Sequence, residues 1–213
     1  MKRATTGDVV ELMESYIDSA ALGAAMELGL FWLLAQEPQD AAGVAQALGI
    51  PIHRCQYWLQ LLSSMGLLEQ AAKAYALSST ARTAILDAYS QETWAFLAQE
   101  AREHFLVVHD LALHIHEPGS SWAAQGLTHP SYVTQMEESP ERASRFTRML
   151  YEIHQPLADE LAKSLDMTGV ERLMDLGGGS GVVSLALLRR HPHLTAVVVD
   201  IANVCVAGRE ISR

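Results

Sequence analysis

Arg172-Leu173-Met174-Asp175-Leu176-Gly177-Gly178-Gly179-Ser180-Gly181-Val182 is the stretch whose reading decides the fold. Leu173–Leu176 is a short apolar strand, and the glycines after it mark a sharp turn into a helix over Val182–Arg190. Glycine supplies backbone angles that other residues avoid, and without a Cβ the main chain can come close to a ligand. A second apolar strand, Ala196–Val199, ends at Asp200, and a further helix runs from about Asn203 to Ile211. Strand, glycine turn, helix, strand and helix in that order predict the opening of a doubly wound α/β sheet. The helix start at Gly181-Val182 offers free N–H groups and the positive end of a dipole, which in dinucleotide folds receives a pyrophosphate. The Asp175 carboxylate just before the glycines counts against a phosphate there and favours a cationic ligand. Asp200 lies 19 residues beyond Gly181. A carboxylate at that strand end can accept hydrogen bonds from both ribose hydroxyls of a nucleoside.

A nicotinamide dinucleotide fold is the nearest rival, and it requires Gly-x-Gly-x-x-Gly. Counted from Gly177 the third glycine falls on Val182, and counted from Gly179 it falls on Ser184. The spacing therefore disfavours NAD.

The first third of the chain has a different character. Ala20–Leu34 places Leu22, Met26, Leu30 and Leu33 on one helical face, with Gly29 marking a bend. Asp40–Gly49 has the acidic start and glycine stop of a short helix, and Ile50-Pro51 breaks the chain. The helix that follows, Ile52–Gly66, turns Cys55, Trp58, Leu59, Leu62 and Met65 inward. Leu67–Gln70 and Ala74–Leu77 then form a hairpin about a polar turn. Helices followed by a hairpin predict a winged helix-turn-helix. Ser79–His116 reads as strongly helical, Pro118–Ser121 as a break, and Pro140–Leu165 as a helix with a kink or boundary at Pro156.

Composition narrows the function classes. Apolar residues make up 49% and charged residues 19%, which excludes disorder as the main state. The formal charge of −10 repels a phosphate backbone. The helix Arg54–Met65 offers no cluster of bases for reading DNA. Its apolar outer face suits protein contact, and Trp32, Trp58, Trp94 and Trp122 are either interface anchors or core residues. Cys55 and Cys205 stand far apart, with neither disulfide nor zinc spacing, and fit a reducing cytoplasm. No signal peptide and no membrane-spanning run is visible. His104, His109, His114 and His116 cluster on one helical region without a metal-ligand pattern, so no metal is expected. His104 or His109 is a candidate for the wall of a substrate pocket.

Together these features resemble the class I S-adenosylmethionine-dependent methyltransferases. The acidic residue followed by alternating glycines is present as Asp175, Gly177, Gly179 and Gly181, with Asp200 as the ribose acid. A winged-helix region, a helical linker, then Leu173–Gly181 and Val199-Asp200-Ile201-Ala202-Asn203-Val204 resemble more narrowly the small-molecule O-methyltransferases of plant phenolic, acetylserotonin and bacterial natural-product type. The resemblance implies a mainly α chain with an α/β part. Residues 1–90 would be a winged-helix dimerisation domain, 91–165 a helical linker and pocket wall, and 166–213 the first part of a Rossmann-like domain. It implies S-adenosylmethionine as cofactor, held by Asp175, Gly177, Gly178, Gly179, Asp200, Ile201, Phe146 and Met149. It also implies a homodimer, and a small hydroxylated acceptor, probed most naturally among phenols and polyketides. No residue is assigned as the base.

Two other readings fit parts of the layout: a ligand-sensing winged-helix regulator that binds DNA, and a non-catalytic dimerisation subunit. A complete doubly wound sheet has about five to seven strands. The two strands here lead to the expectation that the sequence is one portion of a longer or two-chain protein.

Overall fold

The computed structural model describes residues 5–116, 118–124, 126 and 131–213. The first four residues of the polar N-terminal stretch lie outside them. The chain divides into two compact units, Met1–Leu106 and Val107–Arg213.

In the first unit, α1 (Thr6–Glu27) begins well before the Ala20 start read from the apolar spacing. Thr5 caps it: the threonine hydroxyl accepts from the Asp8 N–H at 3.2 Å while the Asp8 carboxylate accepts from the Thr5 N–H at 2.6 Å. This reciprocal cap satisfies two N–H groups that a helix start otherwise leaves unpaired. The turns it starts are wholly exposed from Thr5 to Ala20, so core periodicity carried no sign of them. At Gly29, φ is +72° and the chain bends by 60° into α2 (Leu30–Gln36), as the glycine implied.

A short strand β1 (Gln39–Asp40) leads into α3 (Ala41–Leu48), whose first turn is capped by the Asp40 carboxylate accepting from the Gly43 N–H at 2.8 Å. Then come α4 (Ile52–Ser64) and the hairpin of β2 (Leu68–Ala71) and β3 (Ala74–Leu77). The sheet order is β1-β3-β2, antiparallel throughout. This is the winged helix-turn-helix the sequence predicts. Leu30, Phe31, Val44, Cys55, Leu59 and Leu62 are fully buried together in its core. Each large apolar side chain so buried contributes about 1.5–3 kcal/mol. Trp58 and Trp94 pack against this core, and their indole N–H groups donate to the Ala21 and Ile85 carbonyls at 3.0 and 2.9 Å, so both are fold residues.

The hairpin turns through Ala72, whose φ of +56° makes it the one non-glycine left-handed residue among those described. A Cβ in that region costs about 1–2 kcal/mol. Replacing Ala72 with Gly is expected to stabilise the protein by about 0.5–1 kcal/mol after the entropy that glycine loses, and so to raise the thermal midpoint. An unchanged or lower midpoint in a melting curve would contradict the strain.

The long helical reading of Ser79–His116 is broken in fact. It resolves into α5 (Ser79–Ala81), a π-helical turn over Arg82–Leu86, α6 (Gln91–Val108) and α7 (Leu111–His114). Ser78 and Ser90 side chains cap the segments after each break, accepting from the Ala81 and Thr93 N–H groups. Such local serine bonds compete with a continuous helix.

The second unit continues with α8 (Ser121–Ala124), α9 (Tyr132–Glu138) and α10 (Pro140–Ser164). Helix α10 starts at Pro140 behind the Ser139 cap and runs on past Pro156, so that of the kink or boundary expected there the boundary is absent. Strand β4 (Arg172–Leu176), α11 (Val182–Arg190), β5 (Thr195–Val199) and α12 (Ala202–Ile211) complete it. The two strands are parallel and in register from Arg172 opposite Thr195 to Leu176 opposite Val199. Helix α10 packs on both α11 and α12. Leu173, Asp175, Ala196 and Val198 turn to the covered face, while Met174, Leu176, Val197 and Val199 are exposed on the other. Among the described residues no single helix is long and apolar enough to cross a membrane.

Candidate functional site

The site is built where β4 and β5 end. The Gly177 N–H donates to the Val199 carbonyl at 2.8 Å, the last rung before the strands part. Gly177, Gly179 and Gly181 have φ of +71°, +58° and +74°, so the turn is three left-handed steps that only glycine takes without strain. A Cβ on Gly177 or Gly179 would meet nothing within 4 Å. That open space is where a ligand can lie against bare backbone. Gly178 is held for another reason: a Cβ there would stand 2.5–2.7 Å from all three carboxyl atoms of Asp175.

Asp175 therefore lies under the turn. The Ser184 hydroxyl, nearly sealed from solvent on α11, donates to Asp175 Oδ2 at 2.7 Å and fixes the carboxylate in that place. Asp200 reaches in from the other strand. Its Oδ2 accepts from the Gly179 N–H and its Oδ1 from the Ile201 N–H, both at 2.7 Å. One carboxylate thus joins the glycine turn to the start of α12. A carboxylate has about four acceptor positions, so each oxygen keeps capacity for a hydroxyl donor. The Cys205 thiol donates to the Asp200 carbonyl at 3.4 Å, and so serves the same loop.

Ile201, next in sequence to Asp200, and Phe146 both pack on a small cluster of Met136, Ala143 and Val204. The structure so brings together Asp175, Gly177, Gly178, Gly179, Asp200 and Ile201, and sets Phe146 on the apolar cluster that Ile201 joins. Met149 is buried in α10 outside that cluster. Two residues were missed in the sequence. Tyr132 opens α9, its ring 5.6 Å from that of Phe146. Burial pushes its phenol up from the usual value, and the negative charge of Asp200 adds to the shift. Gly208 on α12 is the second: a Cβ there would come within 3.0 Å of the Gly179 carbonyl, so the helix seats directly on the turn. A lone glycine inside a helix pattern is the signal that could have found it.

A cavity of about 260 Å³ lies behind the turn, lined by Ser184, Leu188, Val198, Cys205 and Arg209 among others. Gly179, Ser180 and Gly181 of the turn also line it, whereas Asp200, Ile201 and Phe146 do not. The His154 ring Nδ1 lies 2.9 Å from the Leu150 carbonyl, and His109 pairs with the neighbouring Asp110 at 3.0 Å. Among the described residues no group of three or more His, Cys, Asp or Glu is placed to hold a metal ion.

Residues 10–87 match an O-methyltransferase dimerisation domain, and residues 109–212 match an O-methyltransferase domain. Similar proteins include the 3-hydroxy-5-methyl-1-naphthoate 3-O-methyltransferase of Streptomyces sahachiroi. It is 32% identical over 199 residues, covering 90% of this chain and 54% of that protein. The N,N-dimethyltransferase OxyT of Streptomyces rimosus is 31% identical over 212 residues, covering 99% of this chain and 61% of its own length. The chain thus spans little more than half the length of these relatives. Among solved structures, PigF with SAH superposes with a TM-score of 0.83 at 22% identity, over 97% of this chain and 62% of that one. The mitomycin 7-O-methyltransferase MmcR superposes with a TM-score of 0.81 at 24% identity, over 95% and 60%.

Proposed function

The chain belongs to the O-methyltransferase family, and from that premise we propose that it binds S-adenosylmethionine and serves transfer of the methyl group to a hydroxyl oxygen of a small aromatic acceptor. The observation that carries this reading is the Asp200 carboxylate, pinned between the Gly179 and Ile201 N–H groups with acceptor capacity left on each oxygen. The residues fit the cofactor: bare glycine backbone with open space over Gly177 and Gly179 is bonded to the Asp200 carboxylate, and the aromatic pair of Tyr132 and Phe146 adjoins the apolar cluster on which Ile201 packs. When bound, S-adenosylmethionine supplies an electrophilic methyl on a sulfonium. Asp200 takes the two sugar hydroxyl protons as hydrogen bonds and fixes the nucleoside's orientation. Phe146 and Ile201 exclude water from its flank. Asp175, tied by Ser184, holds the turn in shape and puts negative charge below it, which suits a cationic ligand. Positioning of donor against acceptor is the main lever on such a reaction. The naphthoate relative favours a phenolic acceptor. The likeness to OxyT favours an amine as the second reading. Calorimetry with S-adenosylmethionine and with its demethylated product tests the cofactor assignment, and no heat with either would remove it.

The first unit supports a homodimer. Val9, Met13, Tyr16 and Ile17 recur at helical spacing on α1 and are 50%, 75%, 57% and 46% exposed. A row of large apolar side chains on one helix face is a place for a partner, and a second copy of the chain offers the matching row. Met13→Asp with Tyr16→Asp is expected to convert a dimer to a monomer in light scattering, with the α-helical circular dichroism kept. A dimer that survives both charges would move the interface off α1.

A further inference from the structure

Helix α9 is only seven residues long, yet it carries Tyr132, whose ring stands 5.6 Å from that of Phe146. Its start is capped by the Ser131 hydroxyl, which accepts from the Thr134 N–H at 3.0 Å. Its end has a deficit. Residue 140 is proline and has no N–H, so the Met136 carbonyl lacks the donor four residues on that a continuing helix would supply. Met136 is itself 1% exposed, which limits what water can do for it. The donor comes from elsewhere: Asn203 Nδ2 donates to the Met136 carbonyl at 2.9 Å and to the Glu137 carbonyl at 3.1 Å. Asn203 is the second residue of α12 and stands three residues after Asp200. A single amide thus ties the last turn of α9 to the first turn of the helix that follows the ribose acid.

We propose that Asn203 is a positioning residue for the cofactor site: its amide clasps α9 to the start of α12 so that Tyr132 stays against Phe146, and the clasp slows escape of the nucleoside. The inference rests on the cofactor reading above. The chemistry needs an amide. Alanine makes neither bond. Aspartate has the same shape but no donor, and it sets carboxylate oxygens against two carbonyl oxygens. An aspartate in the first turn of α12 is otherwise favourable to that helix, so its effect is directed at α9.

The test uses the whole protein and S-adenosylhomocysteine as the probe. Dissociation is followed by stopped-flow fluorescence, and amide hydrogen exchange is read over residues 133–139. Asn203→Ala is expected to speed dissociation about fivefold and Asn203→Asp about tenfold or more, with association within about twofold of the parent. Exchange in α9 should rise in both variants, and Asn203→Gln should recover part of each effect. A merely structural tie would lower the thermal midpoint and leave dissociation alone, and that result overturns the proposal. So does unchanged exchange in α9. If the parent protein binds no S-adenosylhomocysteine while exchange still responds to Asn203, the cofactor reading has failed and this inference with it. If the parent binds and the variants match it, only the clasp has failed.

Discussion

Asp200→Ala is expected to weaken binding of S-adenosylhomocysteine by at least about 100-fold in calorimetry. Hydrogen bonds to a charged acceptor are worth about 1.5–3 kcal/mol each, and two ribose hydroxyls lose theirs together; each 1.4 kcal/mol is about a factor of ten. The substitution also releases the Gly179 and Ile201 N–H groups, both held at 2.7 Å. Some of the loss would therefore come from a loosened turn. Asp200→Asn separates the two contributions. It keeps the volume and one acceptor oxygen, but it turns an NH2 group toward a backbone donor or a sugar hydroxyl. Intermediate binding by Asn, with the thermal midpoint within a few degrees of the parent, is the expected pattern. Equal binding by parent and Asp200→Ala would show that the carboxylate does not hold the sugar.

The glycine turn and Asp200 were legible because they are local. A strand, a turn that only glycine makes and an acid at the next strand end all occur within 29 residues, from Arg172 to Asp200, and each leaves a residue-type signature. The inward stripe of α4 was legible for the same reason, as Cys55, Leu59 and Leu62 recur at helical spacing and are fully buried. What stayed hidden depends on long separations or on exposure. The Asn203 amide reaches residues 66 and 67 positions away, and nothing near Asn203 announces a proline-made deficit at Met136. Tyr132 meets Phe146 only through the packing of α9 on α10. The first sixteen described residues bury nothing, so a search for a core stripe passes over them. Their signal was the Thr5-to-Asp8 cap, a pattern of residue types rather than of apolar spacing. Pro156 left a kink and a boundary both open in the sequence. The boundary does not form, because Ala158 and Ala162 on the same helix are buried against α11, and that packing keeps α10 whole.

Asp175 and Gly178 form the most sharply defined steric pair in the turn, and the second large effect comes from breaking it. A methyl group at residue 178 would sit 2.5 Å from the Asp175 Cγ. The carboxylate cannot swing aside freely, because the Ser184 hydroxyl holds Oδ2 at 2.7 Å and Ser184 is 2% exposed. Gly178→Ala must therefore strain the turn or break that bond. Overpacking costs about 1–3 kcal/mol, and a buried hydroxyl left without its partner costs about as much again. A loss of about 2–4 kcal/mol in denaturant unfolding is expected, together with loss of S-adenosylhomocysteine binding. Gly177→Ala should also destabilise, but by a different route: its Cβ has open space, and the cost is the +71° backbone angle alone, about 1–2 kcal/mol. The two mechanisms separate in double-mutant cycles with Asp175→Ala. Removing the carboxylate makes room at 178, so that cycle should show a coupling of at least about 1 kcal/mol in the relieving direction. The cycle with Gly177→Ala should be additive within about 0.5 kcal/mol, since no part of its cost involves Asp175. Additive behaviour at both positions would mean that Asp175 does not lie beneath the turn, and the account of why residue 178 is glycine would fall.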